Sequence, residues 1–169
     1  MTIQSVGDRS YAVELKGVSK SYPGTPPVYA LSDVSISVPQ GEFLGIIGSS
    51  GSGKTTLLHI VGTLTNPSSG SVFIDGLDTA GMSDRVLAGI RSRHIGFVFQ
   101  EYFLLPGFSA VENVENGLLY SGVASSERTK RAVAMLERVG LSHRLHHLPN
   151  EMSGGEQQRV AIARALVHD

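Results

Sequence analysis

Residues Gly48-Ser49-Ser50-Gly51-Ser52-Gly53-Lys54-Thr55-Thr56 satisfy the pattern G-x-x-x-x-G-K-[ST]. A loop of this kind has to sit between a strand and a helix. The flanks agree: Phe43-Leu44-Gly45-Ile46-Ile47 reads as a short buried strand, and Thr56-Leu57-Leu58-His59-Ile60-Val61 opens a helix that ends near Thr63. The glycines allow the backbone to bend around an anion with successive N–H groups pointing inward. A helix N-terminus adds partial positive charge at the same place. Lys54 is then placed for the β- and γ-phosphates of a nucleotide, and the Thr55 hydroxyl for a magnesium ion. A flexible Gly/Ser linker is the bland alternative, but a linker needs neither an apolar run before it nor Lys-Thr at its end.

The 169 residues are enough for one domain with a core, and 41 % are apolar. The formal net charge of −1 gives no global attraction to nucleic acid. With no cysteine, disulfides, thiolate metal sites and cysteine nucleophiles are excluded. Residues 1–10 are polar, lack the apolar run of a signal peptide and are expected to be disordered. No apolar stretch reaches membrane-spanning length.

Tyr11–Leu15 alternates and reads as a strand. Ser21–Pro27 reads as a loop, and Leu31, Val34, Ile36 and Val38 mark a second strand within Tyr29–Val38. Ser71–Gly76 reads as a strand with a turn, Ser83–Ser92 as a short helix, and Ile95–Phe99 as a buried strand. From Ser109 the pattern turns helical. Ser109 and Glu112 form a capping box, with Val111, Val114 and Leu118 on one face. Ser125–Val139 is a helix with Gly140 as its C-cap, and Ser153 opens a last helix to about Val167. His143, His146 and His147 lie between these two helices and read as a solvated loop rather than a metal site.

The second chemical motif is Met152-Ser153-Gly154-Gly155-Glu156-Gln157-Gln158-Arg159-Val160-Ala161-Ile162-Ala163-Arg164-Ala165-Leu166. Ser153 and Glu156 again make a capping box, and the two glycines clear the helix entrance so that backbone N–H groups can meet an anion. Together with the phosphate loop upstream, this segment resembles the signature of the ATP-binding cassette family. The resemblance runs from about Tyr11 to Asp169. It implies an α/β phosphate-loop NTPase core with an N-terminal antiparallel β portion and a helical subdomain. The expected division is a nucleotide-binding core at 11–100, a helical subdomain at 101–152, and the signature segment and helix at 153–169. The wording from Ile95-Gly96-Phe97-Val98-Phe99-Gln100 through Ala110-Val111-Glu112-Asn113-Val114 looks most like the lipoprotein-releasing and macrolide-efflux branch.

What the resemblance implies is specific. ATP and Mg2+ would be bound by Gly48–Thr56, with Thr55 and Gln100 at the metal. Gln100 would touch the magnesium or the attacking water, a task suited to a neutral amide that can let go. Tyr22 matches the aromatic that stacks on adenine, with Tyr29 a weaker rival. Ser153, Gly154, Gly155 and Glu156 would meet the γ-phosphate held by a second, opposing subunit. The apolar run Tyr102-Phe103-Leu104-Leu105-Pro106 would place Gln100–Pro106 against a membrane permease, although it could instead pack on its own subdomain. The ATPase would lie on the cytoplasmic face of the inner or plasma membrane.

There are departures. Met152 stands where the family usually has Leu, and Glu156 where Gln is commonest, which puts a negative charge beside a γ-phosphate. The family's apolar strand ending in Asp-Glu and its later switch histidine have no match in these residues. The expectation is therefore a fragment lacking C-terminal core strands, which holds nucleotide weakly and does not turn it over. Three other readings stay open. A non-transport cassette protein would carry coiled coils or zinc modules. A kinase or GTPase would carry an arginine-rich lid or Asn-Lys-x-Asp. A non-catalytic regulator of a complete partner has no positive signal.

Overall fold

The computed structural model describes residues 11–168; the expectation for residues 1–10 lies outside them. It divides into two compact units, residues 1–87 and 88–169.

The first unit is built on a four-stranded antiparallel sheet in the order β2-β1-β3-β4. β1 spans Tyr11–Tyr22, β2 Val28–Pro39, β3 Ser69–Ile74 and β4 Leu77–Asp78. The β1–β2 hairpin runs from Tyr11 opposite Pro39 to Tyr22 opposite Val28. It is longer than the sequence reading, because Ser21 and Tyr22 continue the ladder instead of entering the loop. The sheet buries Leu15, Val18, Leu31, Val72 and Ile74. Helix α1 (Lys54–Val61) adds buried Leu57 and Ile60 to this unit's core.

Two expected strands are not formed. Phe43–Ile47 and Ile95–Phe99 have no regular secondary structure. Phe43 is 95 % and Ile47 98 % exposed; in the second run, Val98 and Phe99 are exposed. An apolar run becomes a strand only when a neighbour pairs with its N–H and C=O groups, and neither run belongs to a ladder among the described residues. Helix α1 also starts at Lys54, two residues earlier than Thr56.

Helix α2 spans Asp84–His94. The remaining regular elements of the second unit are helical: α3 Ala110–Glu115, α4 Ser125–Arg138 and α5 Gly154–Leu166 pack around one apolar core. Val111, Val114 and Leu118 all face that core, with Met135 and Leu136 from α4, and Val160 from α5. Met152 is buried in it, so an unbranched side chain fills the position before the α5 cap. Helix α4 ends in a Schellman motif. Gly140 takes φ 75°, Leu141 N–H donates to Leu136 O at 2.8 Å and Gly140 N–H to Glu137 O at 2.9 Å. Among the described residues no helix is long and apolar enough to cross a membrane.

Candidate functional site

The phosphate loop has the backbone that its glycines allow. Gly51 lies at φ 79° and Gly53 at φ 89°, the left-handed region that side chains disfavour. Space excludes a side chain at Gly53 as well. A Cβ there would collide with Ala30 O and stand 3.1 Å from Leu31 Cδ2. The entrance of α1 is thereby seated against β2. Gly53 is also the N-cap of α1, which has no side-chain cap and no acidic residue in its first turn. The N–H groups at this helix start are not claimed by a carboxylate of their own.

Lys54 turns back over the loop. Its Nζ donates to Gly48 O at 2.8 Å and Ser49 O at 2.6 Å, with Ser52 Oγ at 3.5 Å. The ammonium is thus held over the carbonyls of the loop's first residues, on a flexible stem. Thr55 is exposed at the same helix start. The donor set fits hard-anion and hard-cation chemistry: backbone N–H groups and one ammonium for phosphate oxygens, and a hydroxyl for a divalent ion.

Tyr22 ends β1, paired with Val28, and is 39 % exposed. Lys20, two residues earlier on the same face, places its Nζ 5.2 Å from the Tyr22 ring centroid while donating to Asn66 O at 2.7 Å. One ring face therefore already carries a cation. Tyr29 is 75 % exposed and stands opposite Ser21. In the same ladder Leu31, which touches the Gly53 position, pairs with Lys20. The hairpin end that carries both tyrosines is thus continuous with the strand supporting the phosphate loop.

Gln100 belongs to the second unit and is exposed at the start of an irregular segment. The segment behind it is tightly held. Tyr102 and Phe103 both have positive φ, 59° and 45°, a conformation that costs a non-glycine residue about 1–3 kcal/mol. The Arg164 guanidinium donates to the carbonyls of both. Asn113, fully buried, binds the next stretch. Its Oδ1 accepts from Leu105 N–H at 2.7 Å, and its Nδ2 donates to Leu105 O, Phe108 O and Ser109 O. The expected docking run divides accordingly. Leu104 packs on the helical core, whereas Phe103, Leu105 and Phe108 are exposed.

At the start of α5, Ser153 and Glu156 form the expected capping box. Ser153 N–H and Oγ–H each donate to Glu156 Oε2 at 2.8 Å, and Glu156 N–H donates back to Ser153 Oγ at 3.3 Å. Glu156 Oε1 accepts from Arg144 Nε at 2.8 Å, and His143 Nε2 stands 4.0 Å away. The Ser153 backbone and hydroxyl bonds, followed by Arg144, hold the Glu156 carboxyl down to a pKa of about 2. This resolves the charge that seemed out of place: the carboxylate is turned into the cap and countered by a guanidinium.

The histidine segment is correspondingly more than a solvated loop. Arg144 Nη1 lies 3.0 Å from His147 Nε2, and the carbonyls of Leu145 and His147 accept from Val111 N–H and Ala110 N–H at the start of α3. Short range explains the difference in what could be read. The capping boxes repeat at three-residue spacing, whereas Asn113, Arg144 and Arg164 act across 4 to 62 residues.

Comparison with known proteins agrees with this arrangement. The family model described as ABC transporter matches residues 31–169. An ABC transporter ATP-binding protein of Thermotoga maritima is 56 % identical over 158 residues, covering 93 % of this chain and 68 % of that protein. The macrolide export ATP-binding/permease protein MacB of Sodalis glossinidius is 48 % identical over 157 residues, covering 92 % of this chain and 24 % of that protein. Among solved structures, the dimeric post-hydrolysis state of the ATP-binding cassette MJ0796 bound to ADP and Pi superposes with a TM-score of 0.85 at 45 % identity, over 92 % of this chain and 69 % of that one. The relatives thus include ATP-binding parts of permease-containing export systems and dimeric cassettes. A phosphate loop seated on an antiparallel sheet, a capped signature helix in a helical unit, and these matches place the chain in the ABC transporter family, with the phosphate-loop NTPase fold of its ATP-binding cassettes.

Proposed function

We propose that the chain is the ATP-binding subunit of an export system, binding ATP at Gly48–Thr56 and working in head-to-tail pairs beneath a membrane permease. The observation that carries this is the left-handed glycine loop ending in Lys54 at a helix start with no side-chain cap. Family membership implies ATP hydrolysis. The export assignment and the lipoprotein or macrolide branch rest on likeness to relatives such as MacB. Residues 11–100 are read as the nucleotide-binding core, 101–152 as the helical subdomain and 153–169 as the signature segment. On this reading the protein works at the cytoplasmic face of the membrane.

In this mechanism the loop N–H groups and the α1 N-terminus bind the phosphates. Lys54 leaves its carbonyl partners for the β- and γ-oxygens. Thr55 and Gln100 would hold magnesium through neutral oxygens, and the ion would offset the charge of the terminal phosphates. Tyr22 offers an aromatic face to adenine. Ser153, Gly154 and Gly155 of the second copy present N–H groups and a hydroxyl to the γ-phosphate, while Glu156 stays paired with Arg144. Closure of the pair on ATP is passed through Gln100–Pro106 to the permease. Among the 169 residues no carboxylate is assigned to polarising water, so these residues alone are expected to bind nucleotide without turning it over.

Titration calorimetry with MgATP tests the core of the proposal. Lys54→Ala is expected to weaken binding at least 100-fold, and GTP is not expected to outcompete ATP. Equal MgATP affinity in the wild type and the Lys54→Ala variant would sink it. Magnesium-dependent hydrolysis by the 169-residue chain at ordinary rates would overturn the binding-only expectation.

A further inference from the structure

Arg164 lies near the C-terminal end of α5, yet its guanidinium serves the loop behind Gln100. Nη1 donates to Phe103 O at 2.8 Å, and Nη2 to Tyr102 O at 2.7 Å. Separate nitrogens of one rigid planar fork hold the two consecutive carbonyls, which fixes the angle between the two bonds as a single rotatable ammonium does not. Both residues clamped in this way are non-glycine residues with left-handed backbone, Tyr102 at φ 59° and Phe103 at φ 45°. Such a pair persists where its surroundings hold it.

The same loop also reaches the other end of the helix. A Cβ on Gly154 would stand 3.9 Å from the Tyr102 hydroxyl. Tyr102 and the Arg164 side chain thus lie along α5, the Tyr102 carbonyl held by a residue near one terminus and its hydroxyl close to Gly154 at the other. Asn113 of α3 grips the following residues, Leu105 and Phe108, through four hydrogen bonds in all when Ser109 is included. The loop is thus fastened to two helices of one packed core.

We propose that Arg164 is a positioning residue that makes the loop behind Gln100 and the helix starting at Ser153 move as one body. A displacement of Gln100–Pro106 is then delivered to Ser153–Gly155, and the reverse. What each end faces rests on the function proposed above, whereas the mechanical link rests only on these contacts. Two-ended fastening of this kind supplies the physical connection that coupling requires.

Hydrogen exchange on the full chain tests it, comparing wild type, Arg164→Lys and Arg164→Gln. Without nucleotide, amides at 101–105 are expected to exchange at least tenfold faster in both variants, while amides at 157–163 keep their wild-type rates. Lysine keeps the charge and the stem, so restoration of wild-type rates by Arg164→Lys would overturn the proposal. Equal loss of protection throughout α5 would do the same, since it would mark general loosening. On adding MgATP, 153–157 and 101–105 are expected to shift together in the wild type, and 153–157 alone in Arg164→Lys; a wild-type shift at 101–105 in that variant would also refute the link. Absence of any MgATP response in the wild type would instead refute the nucleotide reading, leaving the nucleotide-free comparison to decide the link. Should Arg164→Lys not fold, side-chain NMR of the wild type decides. Slow rotation of the Arg164 Nη groups supports the clamp, and free rotation removes it.

Discussion

Glu156 carries an acid-dependent part of the protein's stability. Its carboxyl has a folded-state pKa of about 2 against an ordinary 4.5, chiefly because Ser153 donates two hydrogen bonds to it, with Arg144 adding a third. A depressed carboxylate pKa stabilises the fold fully above the unfolded value, and that contribution is lost as pH falls through the folded one. Denaturant midpoints of the wild type are therefore expected to fall between about pH 5 and about pH 2. Glu156→Gln should start lower at neutral pH and fall less over that window; parallel curves for the two proteins would show that the carboxylate is not the source. Glu112 is lowered in the same direction by Ser109, through the side-chain and backbone hydrogen bonds of the α3 cap. Both caps were legible in the sequence because each is complete within four residues. The partner that neutralises Glu156 was not, since Arg144 comes from a separate turn and nothing in its local pattern distinguishes it from a surface arginine.

At the scale of elements, helix α3 is short but holds the loop before it through a single side chain. Asn113 is fully buried and answers Leu105 N–H as well as three carbonyls. Truncation would leave Leu105 N–H and Phe108 O without this partner in a part-buried setting, while Leu105 O and Ser109 O keep the N–H groups of Phe108 and Asn113; each group that stays unsatisfied costs about 1–3 kcal/mol. Asn113→Ala is expected to destabilise the second unit by about 3 kcal/mol, read from chemical denaturation, and to release the amides of 105–108 to exchange. A loss below about 0.5 kcal/mol would show that the loop does not depend on it. Helix periodicity located α3, α4 and α5, and the core face of α3 through Val111, Val114 and Leu118 at helical spacing. It could not find Asn113, which sits on that buried face as a polar residue serving an irregular segment. The apolar runs 43–47 and 95–99 misled for the opposite reason: their composition suits a strand, but pairing is a property of the neighbour and not of the run.

At the scale of the whole chain, those two runs leave large apolar side chains in water. Phe43 and Ile47 are almost completely exposed in the first unit, and Val98 and Phe99 are exposed in the second. Apolar surface of this kind favours association. Ile47→Ser is expected to change stability by no more than about 0.5 kcal/mol, as for other surface positions, and to lower concentration-dependent self-association in sedimentation. A cost above about 2 kcal/mol would place Ile47 in a packed core instead. The sheet order, the hairpin register and the helical second half together explain why the two chemical motifs occupy different units. The phosphate loop needs a sheet to seat its glycines, and the signature segment needs a helix bundle to aim its cap.

The hydroxyl of Ser153 has a single proton, and that proton is already directed at Glu156 Oε2. Any outside oxygen that wants it must outcompete a carboxylate which is itself tied down by a guanidinium. The helix entrance therefore behaves as a latch: weak acceptors leave it shut, and only a strongly charged one can draw the proton across.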